Sequence, residues 1–341
     1  MIKNFDEVFE DVTKLGTKIK TDEYRFSGKH QIIDQGQETV AGYTDLEDGL
    51  FENVPAIIFG DHTRIIKYVD KPFFLGADGV KVLRSRFGDA NYRYLYYALR
   101  NVTIPNTGYN RHFKWLKESQ IKYPSAEAQS KVVSVLDCTS SIIEHRQQQL
   151  QILDELVKAR FVEMFGDVRT NNKGLKTAKG SELFKFSSGK FLPEENRKNT
   201  GIPVYGGNGI AWYTDEPLID YPTIIVGRVG AQCGNIHFVN VPVWITDNAI
   251  YIKKQKTDLF TLEFLAEMMT VIDFSQFADF SGQPKITQKP LENTEYLIPT
   301  IEEQKAFSSF CKQINKSKAA IQKALDETQL LFDSLMQKYF G

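Results

Sequence analysis

The sequence predicts an α+β fold: two mostly-β domains separated by two long antiparallel coiled-coil helices, related by an internal pseudo-two-fold repeat. Three observations predict it. Residues 123–166 and 298–341 align without a gap at an offset of 175, sharing Pro124/Pro299, Glu127/Glu302, Gln129/Gln304, Gln147/Gln322, Leu150/Leu325, Leu156/Leu331 and a closing Phe165-Gly166/Phe340-Gly341. Weaker matches extend the repeat upstream: AGYTD at 41–45 with AWYTD at 211–215, PAIIFG at 55–60 with PTIIVG at 222–227, KPFF at 71–74 with VPVW at 241–244, and YRYL at 92–95 with LEFL at 262–265. Positions spaced alternately by four and three run through both long matching segments, which is the signature of a heptad seam. A repeat of this length makes an approximately two-fold object from one chain.

The order of elements is domain 1–124, helix 125–166, domain 167–299, helix 300–341. In the first domain HQIID, PAIIFG, RIIKYV and VKVL are β-rich runs bounded by turn residues, and each predicts a strand. The second domain answers with IPVYG, TIIVGRV, NIHFV, VPVWI and AIYIKK. One short helix is expected per domain, at ANYRYLYYALR and TLEFLAEMMTVI. The tails TGYNRHFKWLKES and SGQPKITQKPLEN read as loops followed by a short strand. Each long helix opens on a cap signal, Pro124-Ser125 before Glu127 and Pro299-Thr300 before Glu302 and Glu303, with acid in the first turn. The first seam runs Val132, Leu136, Thr139, Ile143, Arg146, Leu150, Leu153, Val157, Arg160, Met164. The second runs Phe307, Cys311, Ile314, Lys318, Ile321, Leu325, Thr328, Phe332, Leu335, Tyr339. The polar members of each seam are suited to fixing register and direction. Gly166 and Gly341 are natural helix stops.

Composition narrows the function classes. The 341 residues are 42% hydrophobic and 25% charged, ordinary for a globular protein. No apolar stretch reaches the length of a membrane span, and the mixed acidic opening MIKNFDEVFEDVTK is unlike a signal peptide, so a cytoplasmic chain is expected. Cys138, Cys233 and Cys311 lie far apart, against a disulfide framework or a zinc cluster; burial within the helices is expected for Cys138 and Cys311. The five histidines have no metal-ligand spacing and are expected on surfaces or loops. The net charge of −1 offers no bulk attraction for phosphate, so a nucleic-acid face must be local or completed by a partner. No catalytic signature occurs. Ser187-Ser188-Gly189-Lys190 lacks the upstream glycine of a phosphate-binding loop, and Tyr205-Gly206-Gly207-Asn208-Gly209 reads as a tight turn.

TGYNRHFKWLKE at 107–118, LDELVKARFVEMFGD at 153–167, and SGQPKIT at 281–287 followed by LIPTIEEQ, in this domain order, resemble the specificity subunit of type I restriction–modification systems. The resemblance covers essentially the whole chain. It implies two target recognition domains, each reading one half of a bipartite, asymmetric DNA site, with the helices as a ruler between them. It also implies partners: double-stranded DNA, two methyltransferase subunits and restriction/translocase subunits, with no membrane. S-adenosylmethionine, ATP and Mg would belong to those partners, and no cofactor or metal to this chain. One departure is the opening of the first domain, where Phe5-Asp6-Glu7-Val8 stands in place of an expected tryptophan-containing segment. Another is Gly108-Tyr109-Asn110-Arg111 in the first domain against Gly282-Gln283-Pro284-Lys285 in the second, which predicts two different half-sites.

Loops that combine donors with aromatic rings supply the candidate DNA contacts, because Arg and Lys reach guanine and phosphate while Asn and Gln reach adenine. In the first domain these are Gln35, Gln37, His62, Arg64, Tyr109, Asn110, Arg111 and Lys114; in the second, Asn208, Arg228, Gln232, Gln283 and Lys285. Arg84, Arg86, Arg93 and Arg100 read instead as ion-pair partners around a short helix. Two readings of function stand at this point, and a third, an enzyme with a novel site between the domains, has no motif behind it. One is a non-catalytic DNA-reading subunit that directs adenine methylation or cleavage by its partners. The alternative is a two-headed coiled-coil adaptor binding protein or glycan.

Overall fold

The structure is a computed structural model describing residues 1–341. It divides into two compact units, Met1–Arg146 with Ala324–Gly341, and Gln147–Lys323. Each contains one mostly-β domain and a piece of both long helices, so the boundary runs through the helices and not through a loop.

In the first unit a four-stranded sheet has the order Phe9–Asp11, Val80–Ser85, Ala56–Gly60, Ile66–Val69, antiparallel throughout. A three-stranded sheet has the order Gly42–Thr44, His30–Ile33, Phe73–Leu75, the last pair parallel. The strand Ala56–Gly60 is buried along its whole length because it is covered on both faces. Ile57 and Phe59 face a core shared with Tyr94, Leu95 and Leu99 of the short helix Tyr92–Arg100 and with Phe332 and Met336 of the second long helix. Ala56 and Ile58 face a second core with Ile33, Val69 and Val82. Ile2–Asn4 pairs with Gln120–Lys122, closing the domain at the foot of the first long helix.

The second unit repeats this plan. Its four-stranded sheet is Phe184–Ser188, Ala249–Gln255, Thr223–Gly227, Ile236–Val239, and its three-stranded sheet is Gly209–Thr214, Ile202–Gly206, Trp244–Ile245. Ile224 and Val226 face one core and Ile225 the other. Lys176–Lys179 pairs with Glu295–Ile298 at the foot of the second long helix. The repeat extends to single interactions: Arg25 binds Asp45 at 2.6 Å, and Lys198 binds Asp215, the corresponding acid, at 3.6 Å.

The long helices are Ala126–Phe165 and Ile301–Phe340. In the first unit the start of one packs on the end of the other, and in the second unit the end packs on the start, so each pair is antiparallel. None of the seam positions is exposed: Val132, Leu136, Thr139, Phe307, Cys311, Thr328 and Phe332 are buried and the rest half-buried. Leu150, Leu153, Leu325 and Leu335 are among the half-buried ones. The seam's polar members are used. Arg146 donates to the Ala324 carbonyl and to Thr328 Oγ1, and Lys318 binds Asp154 at 2.5 Å. At the second helix start, Thr300 and Glu303 form a reciprocal capping box, with Thr300 N donating to Glu303 Oε2 at 2.9 Å and Glu303 N to Thr300 Oγ1 at 3.3 Å. The repeated glutamines Gln129 and Gln304 are buried, and each donates to the carbonyl of the proline five residues before it, at 3.0 Å. No helix is long and apolar enough to cross a membrane.

Four expectations need correcting. The domain tails are not loops alone, since they carry the short helices Phe113–Lys117 and Gln288–Asn293. Cys138 is exposed, one step off the seam, whereas Cys311 and the loop residue Cys233 are the two buried thiols. His112 is fully buried and not a surface residue, because its ring and backbone both bond the Asp61 carbonyl. His237 lies half-buried on a strand, and burial pulls its pKa down.

Candidate nucleic-acid interface

In the first domain four loops converge. The turn at 61–64 joins Ala56–Gly60 to Ile66–Val69, and Asp61 within it is a buried organiser. Its carboxylate accepts from Phe113 N at 2.8 Å, and its carbonyl accepts from His112 N at 2.7 Å. This fixes the 107–112 loop against the turn. The result is a stack of Tyr109 on His62, ring centroids 4.7 Å apart and 8° from parallel, with Tyr109 almost wholly in solvent. Arg111 follows on the same loop and Lys114 on the short helix after it, both exposed; Lys114 lies over the Trp115 ring at 4.1 Å. Arg64 takes a left-handed backbone, φ 63°, and Nη1 reaches the Ile104 carbonyl at 3.5 Å, while its buried Nε has no partner.

Gln35 is brought to this cluster but is consumed inside it. Its Nε2 donates to the Asp78 carbonyl at 3.0 Å, its Oε1 accepts from His62 N at 3.1 Å, and its own carbonyl accepts from Thr63 Oγ1 at 2.7 Å. Gln35 is therefore a staple joining three loops. Gln37, two residues on, is exposed. Asn110 spends its amide on Thr107. Of the candidate contacts in this domain, the donors left facing solvent are Gln37, Arg111 and Lys114. Asp78 tempers this face: a hydrogen bond from Lys18 holds its carboxyl below the usual range.

The corresponding place in the second domain is built on the same bonds. Arg228 occupies the position of Asp61: its amide donates to the Asn248 carbonyl at 2.9 Å, and its carbonyl accepts from Ile286 N at 2.8 Å. Here the neighbouring strands Ile202–Gly206 and Gly209–Thr214 are joined by only two residues, Gly207 and Asn208. The short turn leaves an open cleft of about 470 Å³. Asn208, Asn248 and Gln283 line it together with Thr246, Ile210 and Trp212. Arg228 sits behind the cleft, its guanidinium 3.4 Å from Ser188 Oγ and from the Asp247 carbonyl. Lys285 is exposed, on backbone paired with Asp279 and Val229. Gln232 stands apart from the cleft and binds the Asn235 amide at 2.9 Å. The sequence reading missed Asn248 and Thr246; Asn248 follows Asp247 in a turn-forming pair between strands, which is the available signal.

The arrangement supplies donors and aromatic surface in loops. No group of three or more His, Cys, Asp or Glu is placed to hold a metal ion.

Comparison with known proteins places these loops in context. The family model described as "type I restriction modification DNA specificity domain" matches residues 1–153 and 172–328. The specificity subunit of the type I restriction enzyme EcoprrI of Escherichia coli is 24% identical over 192 residues, which is 53% of this chain and 46% of that protein. The chain thus spans less than half of that relative's length. A type I specificity subunit of Mycoplasma genitalium is 22% identical over 280 residues, 76% of this chain and 71% of the relative. The MjaX specificity subunit of Methanocaldococcus jannaschii is 24% identical, with 94% and 86% covered. Among solved structures, the type I restriction–modification S subunit from M. genitalium superposes with a TM-score of 0.64 at 19% identity, covering 100% of this chain and 96% of that one. A chain from a study of complex assembly in the type I system superposes at 0.51 with 15% identity, covering 100% and 97%.

Proposed function

The chain belongs to the type I restriction–modification DNA specificity family, and we propose that it is the sequence-reading subunit of such a complex, recognising a bipartite, asymmetric DNA site. The observation that carries this reading is the pair of loop clusters at equivalent points of the two copies, built on the same backbone bonds but furnished differently: aromatic and cationic around Tyr109 and Arg111, amide-lined around Asn208 and Gln283. Phosphate contacts position a protein on DNA, whereas amide and guanidinium forks discriminate base edges. Two unlike readers on one chain suit a site with two unlike halves.

Methylation of adenine and cleavage fall to partner subunits, which would bring S-adenosylmethionine, ATP and Mg. Two methyltransferase subunits fit the repeat, since Leu156 and Leu331 are matched by it and yet are 43% and 53% exposed, on the outer side of their helices. An apolar residue held outside the seam at the same place in both copies suits contact with two copies of one partner. The matched relatives lend nothing to the adaptor reading.

The test is to express the methyltransferase subunits with and without this chain in a host lacking both and to map methylated adenines across the genome. A single two-part motif that requires this chain is the expected result; methylation without it, or none with it, would reject the proposal. Because the net charge of −1 gives little phosphate attraction, the isolated chain should bind its own site much more weakly than the assembled complex at the same salt concentration. Equal isotherms would contradict this.

A further inference from the structure

We propose that the second domain reads an adenine, other than the one modified, in the major groove through the cleft at Asn208, Asn248 and Gln283; this rests on the DNA-reading role proposed above. Four observations converge. All three carboxamides are exposed and make no hydrogen bond inside the protein, unlike those of Gln35, Asn110 and Gln232. Thr246, only 4% exposed, lines the same cleft, and its buried Oγ1 has no partner within the protein. A buried hydroxyl left unpaired within a native fold is suited to pairing with a bound water or ligand. No charged side chain lines the cleft. Its apolar wall, Ile210 and Trp212, is 51% and 38% exposed.

This is the donor and acceptor set for A·T and not for G·C. A free Asn or Gln amide matches adenine N6 and N7 with both ends, and an apolar side chain suits the neighbouring thymine methyl. Guanine would call for Arg or Lys; Arg228 is turned toward Ser188 and Asp247, and Arg197 is stacked over the Trp212 ring. The first domain lacks this cleft because it fills the space itself. A Cβ at Gly79 would fall 2.5 Å from Gln35 Nε2, and one at Gly60 would fall 2.9 Å from Gln35 Cβ. At the second domain's Gly227, the counterpart of Gly60, the neighbours are backbone oxygens of Gly207 and Gln232 and not a side chain. One copy is thus plugged by its own glutamine, and the other keeps its amides for a ligand.

The experiment uses the assembled methyltransferase complex and its genome-derived motif. Duplexes carrying the site are prepared with 7-deazaadenine replacing each unmethylated adenine in turn, which removes the N7 acceptor but preserves pairing. At least one replacement should weaken binding by about 5-fold or more, the lower end of what a bidentate base contact is worth, since N6 is left in place. The same replacement should cost little further in Asn208→Ala or Gln283→Ala, and Gln283→Arg should move the preference at one position from A to G. The proposal is overturned if every replacement is harmless, or if the alanine variants relax a G·C position. A wild-type complex with no defined motif would instead remove the DNA-reading role itself.

Discussion

Tyr97 of the first copy donates to Asp137 at 2.6 Å, and Arg93 binds the same carboxylate at 2.5 Å, tying the short helix to the long one. Asp137→Ala leaves both donors without their acceptor and should cost about 1–3 kcal/mol in unfolding free energy. An unchanged denaturation midpoint would show that the tie is dispensable. The second copy has Glu267 and Lys312 at these two positions, lining one cleft. Burial raises the Glu267 carboxyl, against smaller opposing effects of Asn315 and Lys318. A carboxyl raised in the folded state holds its proton there more tightly than in the unfolded chain. Stability therefore falls as pH climbs from the ordinary value of 4.5 through the raised one, and the loss is complete above it. Glu267→Gln should match the native protein in acid and become progressively more stable than it toward neutrality. Parallel stability–pH curves for the two proteins would refute this. Residue roles of this kind were only partly legible. Arg93 reads correctly from sequence as an ion-pair partner, because it sits on a short amphipathic helix. Gln35 and His112 do not read correctly, because what consumes them is backbone brought in from 27 to 51 residues away.

Helix ends are where single elements can be tested. Thr300→Ala removes one half of the capping box and should cost about 1 kcal/mol. Gly166 stops the first long helix at φ 81°, and a Cβ there would fall 2.2 Å from Asn172 Oδ1. Gly166→Ala should therefore cost at least the left-handed penalty of about 1–2 kcal/mol. Chemical denaturation of both variants checks these figures, and an undiminished Gly166→Ala would mean that the stop relaxes elsewhere. The long helices and their caps were legible because a 3.5-residue period and a Ser or Thr before it are local signals. So were central strands such as Ala56–Gly60 and Thr223–Gly227, whose apolar runs are covered on both faces. The ribbon of Ile2–Asn4 with Gln120–Lys122 was not, since three residues carry no pattern and their partner lies across the whole domain. The tight turn at 207–208 was legible in its glycines, but the amide cleft was not, since Asn248 and Gln283 reach it from distant loops.

At the scale of the molecule, each unit owns its cores, and the larger core of each includes side chains from both long helices. Replacing residues 171–297 with the second domain of another family member should change one half of the methylated motif and leave the other intact. The graft must also suit Phe161, Phe165 and Phe307, which pack around Phe264 with ring centroids 5.2 to 6.3 Å apart. A change in both halves of the motif would refute independent reading. The division of the chain has a further consequence, in time. The unit made of Gln147–Lys323 is continuous, whereas the other needs Phe332 and Met336 to cover Tyr97 and its neighbours. At roughly 5–20 residues per second, the ribosome delivers residue 332 about ten to forty seconds after residue 146. The domain made first must therefore wait, its apolar face uncovered, while the domain made second can close ahead of it. Nascent chains halted before residue 324 should expose the earlier domain to protease and chaperone while the later one is already protected.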